Sequence, residues 1–255
     1  VMLDREITPS LKAEGKYREF MRELQDKRKV LGLNPGDRMV MGIEEIYKKY
    51  KILPNLQEHM LRVAAVASLI CDNFSEPLPK EDIISACLLH DMGNIIKFRW
   101  DSLLESLQPE GLEYWQKVQN EFIEKYGENE HEATIKIVKE LGLPENVVFM
   151  VNQVDFLISC DHFNSNDMSI KIVNYVDWRV GPYGIISYDE RMDEGKKRYQ
   201  NRKDNILKEE DRNKLVACGR GIEKQIFAKC KIKPEDINDE SVALIIQKLR
   251  EFVIK

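Results

Sequence analysis

Side chains able to bind a metal interrupt the apolar stripe of three separate helical segments, and each interruption is costly if it stands alone. Around His59, the residues Leu56, Val63, Val66 and Ile70 recur at the three- and four-residue spacing of an inward helix face. Ile83, Cys87 and His90 repeat the pattern with Asp91 next in the chain, and Ile170, Val173, Asp177 and Val180 repeat it again. A buried polar group without a partner costs on the order of 2–7 kcal/mol, and a buried charge costs more. One cation shared by His59, His90, Asp91 and Asp177 offsets these costs together, whereas local hydrogen bonds would have to be found for each residue separately. The pattern predicts a helical bundle in which three segments bring four ligands to one point.

Two imidazoles and two carboxylates make a mixed nitrogen and oxygen site. Such a set suits one divalent transition metal (Mn, Fe, Co, Ni or Zn, with Mg admissible) better than Ca, which prefers oxygen alone. Four protein ligands leave open positions on a six-coordinate ion, where water and a phosphate oxygen can meet. Metal-assisted hydrolysis of a phosphoester is the chemistry this serves most directly.

The ordered set His59, His90-Asp91, Asp177 resembles the metal motif of the HD-domain phosphohydrolase superfamily. Leu53-Pro54-Asn55-Leu56-Gln57-Glu58-His59 is similar to the family's entry into its first ligand helix, Leu88-Leu89-His90-Asp91-Met92-Gly93 to its central signature, and Asn174-Tyr175-Val176-Asp177-Trp178-Arg179-Val180 to its last ligand helix. The resemblance covers about residues 41–195. It implies an all-α fold and a metal-dependent phosphatase or phosphodiesterase acting on a small phosphorylated substrate, a nucleotide being the commonest class. Asp91 is expected both to ligate the metal and to orient or deprotonate the attacking water.

Other site candidates follow from position. Arg62 lies one turn after His59 and Arg179 two positions after Asp177, so either guanidinium is a candidate to grip phosphate through its planar fork. Asn94 stands three positions beyond Asp91, where many relatives carry Lys or Glu; it is kept as a substrate-binding candidate, with Lys97 as the candidate for the charged role. His131 resembles the first additional histidine of dinuclear family members, but the next helix offers Asn152, Gln153 and Asp155 where a histidine pair is expected. This favours one metal, with His131 as a phosphate contact or general acid. A dinuclear iron phosphodiesterase or oxygenase is the alternative, and a non-enzymatic ligand-sensing or interaction domain the second.

The chain of 255 residues is long enough for one large core with helical extensions. The division expected is an N-terminal helical arm over 1–40, the metal-binding catalytic domain over 41–195, and a C-terminal helical extension over 196–255. Tyr17, Phe20, Met21, Leu24 and Leu31 mark the arm as an amphipathic helix. Asn55 with Glu58, and Ser187 with Glu190, read as capping boxes. Helices are further expected from Asn129 to Gly142, over 145–157, 208–229 and 239–254, with a loop from Cys160 to Met168 and a hairpin around Gly184-Ile185-Ile186.

Composition limits the rest. Apolar residues make up 43% and charged residues 33%, the balance of a soluble globular protein. No apolar run approaches the roughly 18 residues that span a membrane, and residues 1–6 lack a signal-peptide core, so a cytoplasmic protein without a membrane partner is expected. A net charge of −5 argues against a general nucleic-acid surface, and the cluster Lys196, Lys197, Arg198, Arg202, Lys203 is flanked by acids. A homo-oligomer stays open. Cys71, Cys87, Cys160, Cys218 and Cys230 are scattered and odd in number, which reads as reduced thiols, Cys87 being a small core residue. There is no phosphate-binding glycine loop, dinucleotide fingerprint or nucleophile elbow.

Overall fold

The computed structural model describes residues 41–100, 107–199 and 207–254. The arm expected over 1–40 lies outside the described residues. Helices account for nearly all regular structure: α1 (Ile43–Lys49), α2 (Pro54–Asn73), α3 (Lys80–Leu89), α4 (Leu112–Tyr126), α5 (Glu130–Glu140), α6 (Glu145–Asn152), α7 (Ser159–Asn164), α8 (Met168–Asp177), α9 (Tyr188–Tyr199), α10 (Glu209–Phe227) and α11 (Asp239–Leu249). Short 3-10 turns occupy Asn94–Lys97, Phe156–Ile158 and Pro234–Asp236. Two two-residue strands, β1 (Met41–Gly42) and β2 (Val253–Ile254), pair antiparallel and join the two ends of the described body. The fold is all-α, as the helical periodicities require.

The centre is built by α2, α3 and α8, whose small and branched side chains let the backbones approach closely. Val63, Ala64, Ala65, Val66 and Ala67 of α2 are buried almost completely, as are Ile83, Ala86, Cys87 and Leu88 of α3 and Ile172, Val173 and Val176 of α8. The residues predicted to share a face with His59 are all in this core, so the periodicity argument located the inward stripe correctly. Helix α6 packs beside α3, and Asn146 near its start hydrogen-bonds Asp82 near the start of α3.

Several expectations change. Helix α2 starts at Pro54 with Leu53 as N-cap, so Asn55 and Glu58 form no capping box; Glu58 instead pairs with Arg250 beyond α11. Proline at the first helical position already lacks the N–H that a cap would satisfy. The Ser187–Glu190 capping box is present, with Ser187 N–H donating to Glu190 Oε2 at 2.8 Å and Glu190 N–H to Ser187 Oγ at 3.2 Å. The hairpin near Gly184 appears as a single antiparallel bridge between Val180 and Ile185. The segment expected as a loop from Cys160 contains α7, and the segment 196–255, expected as an extension, contributes Ile222, Ile226, Ile237, Val242 and Leu249 to the same core.

The thiol expectation is overturned at one pair. Cys160 of α7 and Cys218 of α10 form a disulfide across 58 positions, while Cys71, Cys87 and Cys230 are free. Scattered spacing carried no sign of it, because helix packing brings the two cysteines together. Gly221 of α10 lies so close to the Phe163 ring that a Cβ there would come within 2.4 Å of it. Among the described residues no helix is long and apolar enough to cross a membrane.

Candidate metal centre

His59 projects from the second turn of α2, His90 caps the C-terminal end of α3, Asp91 follows in the turn, and Asp177 ends α8. Ligand atoms of His59, His90 and Asp91 all lie within 4.8 Å of one another. Asp177 Oδ1 is 3.1 Å from His59 Nε2 and 3.5 Å from His90 Nε2, and Asp91 Oδ2 is 3.6 Å from each of the same two nitrogens. Ligands each about 2.1 Å from one ion stand roughly 3.0–3.5 Å from their neighbours; His59, His90 and Asp91 form the mutually close group, and Asp177 joins it through its contacts with the two histidines. The His90 side chain is 1% exposed while the other three are 20–22% exposed, so the cluster is closed on one side and open on the other.

An orphaned atom identifies what the cluster fits. His90 Nδ1 lies 2.8 Å from the carbonyl of Cys87, which fixes that nitrogen as the N–H donor and turns Nε2 toward the acids. Nε2 is buried and makes no hydrogen bond. A lone pair buried beside two carboxylates suits a cation, which is the role a second imidazole and two acids converging on it would share. Without one, a proton fills that role: burial works against a charged His90, but Asp91 and Asp177 outweigh it and push its pKa up to about 9. Burial likewise opposes ionisation of Asp177, yet the hydrogen bond from His59 and the neighbouring His90 hold its carboxyl well below the ordinary range.

The HD-domain family model matches residues 56–212, which is more than half of the chain and includes His59, His90, Asp91 and Asp177. The chain belongs to the HD-domain family. Its members are mostly metal-dependent hydrolases, and the clustered His59, His90 and Asp91 are placed so that they could hold a metal ion. Two curated proteins also match: isoleucine–tRNA ligase of Pyrococcus furiosus, 39% identical over 62 residues, and that of Thermococcus kodakarensis, 37% identical over 62 residues. Each alignment covers 24% of this chain, and the chain spans 6% of the length of each of those relatives. No solved structure matches significantly.

The remaining candidates of this HD-domain protein separate. Arg179 is 3% exposed and every part of its fork is used: Nε donates to the Ile186 carbonyl, Nη1 to the Tyr175 hydroxyl, and Nη2 to the carbonyls of Pro234 and Ile237. It ties the end of α8 to the segment before α11 and is not a phosphate ligand, which corrects the sequence expectation. Arg62 is half-buried and has no ion pair among the described residues. Lys97 is exposed and faces Glu130 at 3.5 Å. Asn94 is buried in the 3-10 turn directly after the ligand turn.

His131 sits in the first turn of α5, with Nε2 3.4 Å from Asn152 Oδ1 at the end of α6. Asp155, which stands where dinuclear members are expected to carry a histidine, accepts from Leu157 N–H and caps a 3-10 turn. His162 is buried in α7, 3.3 Å from Gln153 Oε1, and burial lowers its pKa. What sequence reasoning missed is the contact between the ligand turn and α5. The φ of Gly93, −91°, is open to any residue, so glycine is needed there to give α5 room.

Proposed function

We propose that this protein is a mononuclear, metal-dependent phosphohydrolase that cleaves a phosphoester of a small molecule, with a nucleotide as the substrate class. The observation that carries the reading is the buried His90 Nε2, which makes no hydrogen bond and lies 3.5–3.6 Å from the Asp177 and Asp91 carboxylates. His59, His90, Asp91 and Asp177 would hold a divalent transition ion, which would supply Lewis acidity toward a phosphoryl oxygen and acidify bound water. Asp91, partly exposed on the open side, accepts the proton of the attacking water at its carboxylate. His131, on the adjacent helix start, donates a proton to the departing alkoxide, so that ester and water become alcohol and phosphate. Lys97 and Asn94 border the ligand turn and are assigned to hold the phosphoryl oxygens as charge moves onto them.

The contacts of His131 and Asp155 favour a single ion over the dinuclear alternative. His131 meets a neutral amide, and the Asp155 carboxylate is engaged as a cap. A screen of nucleoside mono-, di- and triphosphates and cyclic nucleotides against Mn, Co, Ni, Fe, Mg and Zn tests the proposal, with metal content measured per chain. Metal-dependent phosphate release with one equivalent of metal is expected. Two tightly bound equivalents, or no release from any phosphoester, overturns it.

A further inference from the structure

Asp91 lies on the turn after α3, where its carboxylate stands 3.6 Å from His59 and from His90. Helix α3 ends at Leu89, so the amides that follow lose their helical acceptors. Met92 N–H reaches the Leu89 carbonyl at 3.3 Å and Asn94 N–H reaches the Asp91 carbonyl at 3.0 Å. Gly93 N–H, between them, donates instead to Thr134 Oγ1 at 2.9 Å, in a buried contact with α5. The other backbone hydrogen bonds named for residues 91–93 stay within the local turn, whereas this one reaches a helix 41 positions away.

Thr134 is suited to that position and to nothing else nearby. It is 1% exposed, and its hydroxyl hydrogen is given to the Glu130 carbonyl at 2.9 Å, one turn back in the same helix. The oxygen therefore presents a lone pair to Gly93 and has no proton left for a ligand. Gly93 makes the approach possible: a Cβ there would stand 2.3 Å from the Glu130 carbonyl oxygen and 2.8 Å from Thr134 N. Helix α5 is thus pressed onto the ligand turn by absence of a side chain and locked there by one hydroxyl.

We propose that Thr134 is a positioning residue of the metal centre, which sets the Asp91 carboxylate relative to His59, His90 and Asp177 through the Gly93 amide. The assignment rests on the metal-centre reading. Its substitution is expected to act as loss of an outer-shell hydrogen bond does, by about 10–100-fold in metal affinity.

The test compares wild type, Thr134→Val and Thr134→Ser by calorimetric titration with Co²⁺ and by the visible spectrum of the bound ion. Valine keeps the shape and removes the oxygen, whereas serine keeps the oxygen. The expected result is a Co²⁺ Kd raised about 10–100-fold and an altered spectrum for Thr134→Val, with Thr134→Ser close to wild type. Equal binding by Thr134→Val, or a loss in Thr134→Ser as large as in Thr134→Val, overturns the assignment. A wild-type protein that takes up no Co²⁺ overturns the metal centre itself and this assignment with it. Hydrogen exchange at the Gly93 amide of the metal-free wild type decides the matter if Thr134→Val does not fold. Protection equal to that of the α5 amides supports the lock, and exchange as fast as in an open turn overturns it.

Discussion

Asp177 Oδ1 lies 3.1 Å from His59 Nε2 although 118 positions separate the two residues. The contact joins the end of α8 to the second turn of α2. If it is part of a coordination shell, Asp177→Ala removes one of four ligands and one of two negative charges. A structural four-ligand site is worth about 10–16 kcal/mol, so one ligand corresponds to about 3 kcal/mol, or roughly 100-fold in affinity. Metal uptake and phosphate release should both fall to background while circular dichroism shows the helices intact. Undiminished metal binding by a folded Asp177→Ala protein would remove this residue from the site.

Arg179 gives the opposite expectation. Its guanidinium is buried and satisfies the carbonyls of Ile186, Pro234 and Ile237 together with the Tyr175 hydroxyl. Arg179→Ala strands several buried acceptors at once, at a cost on the order of 3–5 kcal/mol in stability. Arg179→Lys should recover little, because an ammonium cannot reproduce a planar fork with four directed bonds. Denaturant unfolding measures the loss, and the folded fraction should bind metal as wild type does. A stable Arg179→Ala protein with raised KM would restore the phosphate role.

The inward stripes of α2, α3 and α8 were legible because a helix repeats its face every three to four residues and a core accepts only apolar or partnered groups. His59, His90, Asp91 and Asp177 stood out for that reason. Arg179 misled because its sequence neighbourhood resembles a ligand helix, while the carbonyls it binds lie seven and more than fifty positions away. Helices α1 and α4 went unread, and so did the Thr134–Gly93 contact, since a threonine in a helix gives no sign of which backbone amide it will meet. The Cys160–Cys218 bond depends on the docking of α7 against α10, a tertiary fact with no local period.

That disulfide should be measurable as stability. Closing a loop of 58 positions restricts the unfolded chain by about 4 kcal/mol in the chain-entropy estimate, if the folded state is unstrained. Thiol titration of the denatured, unreduced protein should find three free thiols, and five after reduction. Cys160→Ser is expected to lower the unfolding free energy by up to that amount without altering metal uptake, since α7 carries none of the four ligands. Five titratable thiols in the unreduced protein would contradict the bond.

The response to pH should reverse when metal is added. In the metal-free protein, Asp91 and Asp177 raise His90 from 6.5 to about 9 against the effect of burial. A folded-state pKa above the unfolded one means that protonated His90 stabilises the fold fully below about pH 6.5, and that this contribution is lost as pH rises through about 9. The depressed Asp177 carboxyl contributes in the other sense: its stabilisation is present above the ordinary carboxylate pKa and is lost as pH falls through the lower folded value. A metal ion must displace the His90 proton, so its apparent affinity should climb with pH, by up to about tenfold per unit, and level off near the His90 pKa. Thermal unfolding with a chelator should therefore show Tm falling between about pH 6.5 and 9, while saturating Mn²⁺ or Co²⁺ widens the gap between loaded and metal-free protein over the same range. A metal-free Tm that stays flat through this window, with a metal-induced shift independent of pH, would mean that His90 does not carry the proton that the ion replaces.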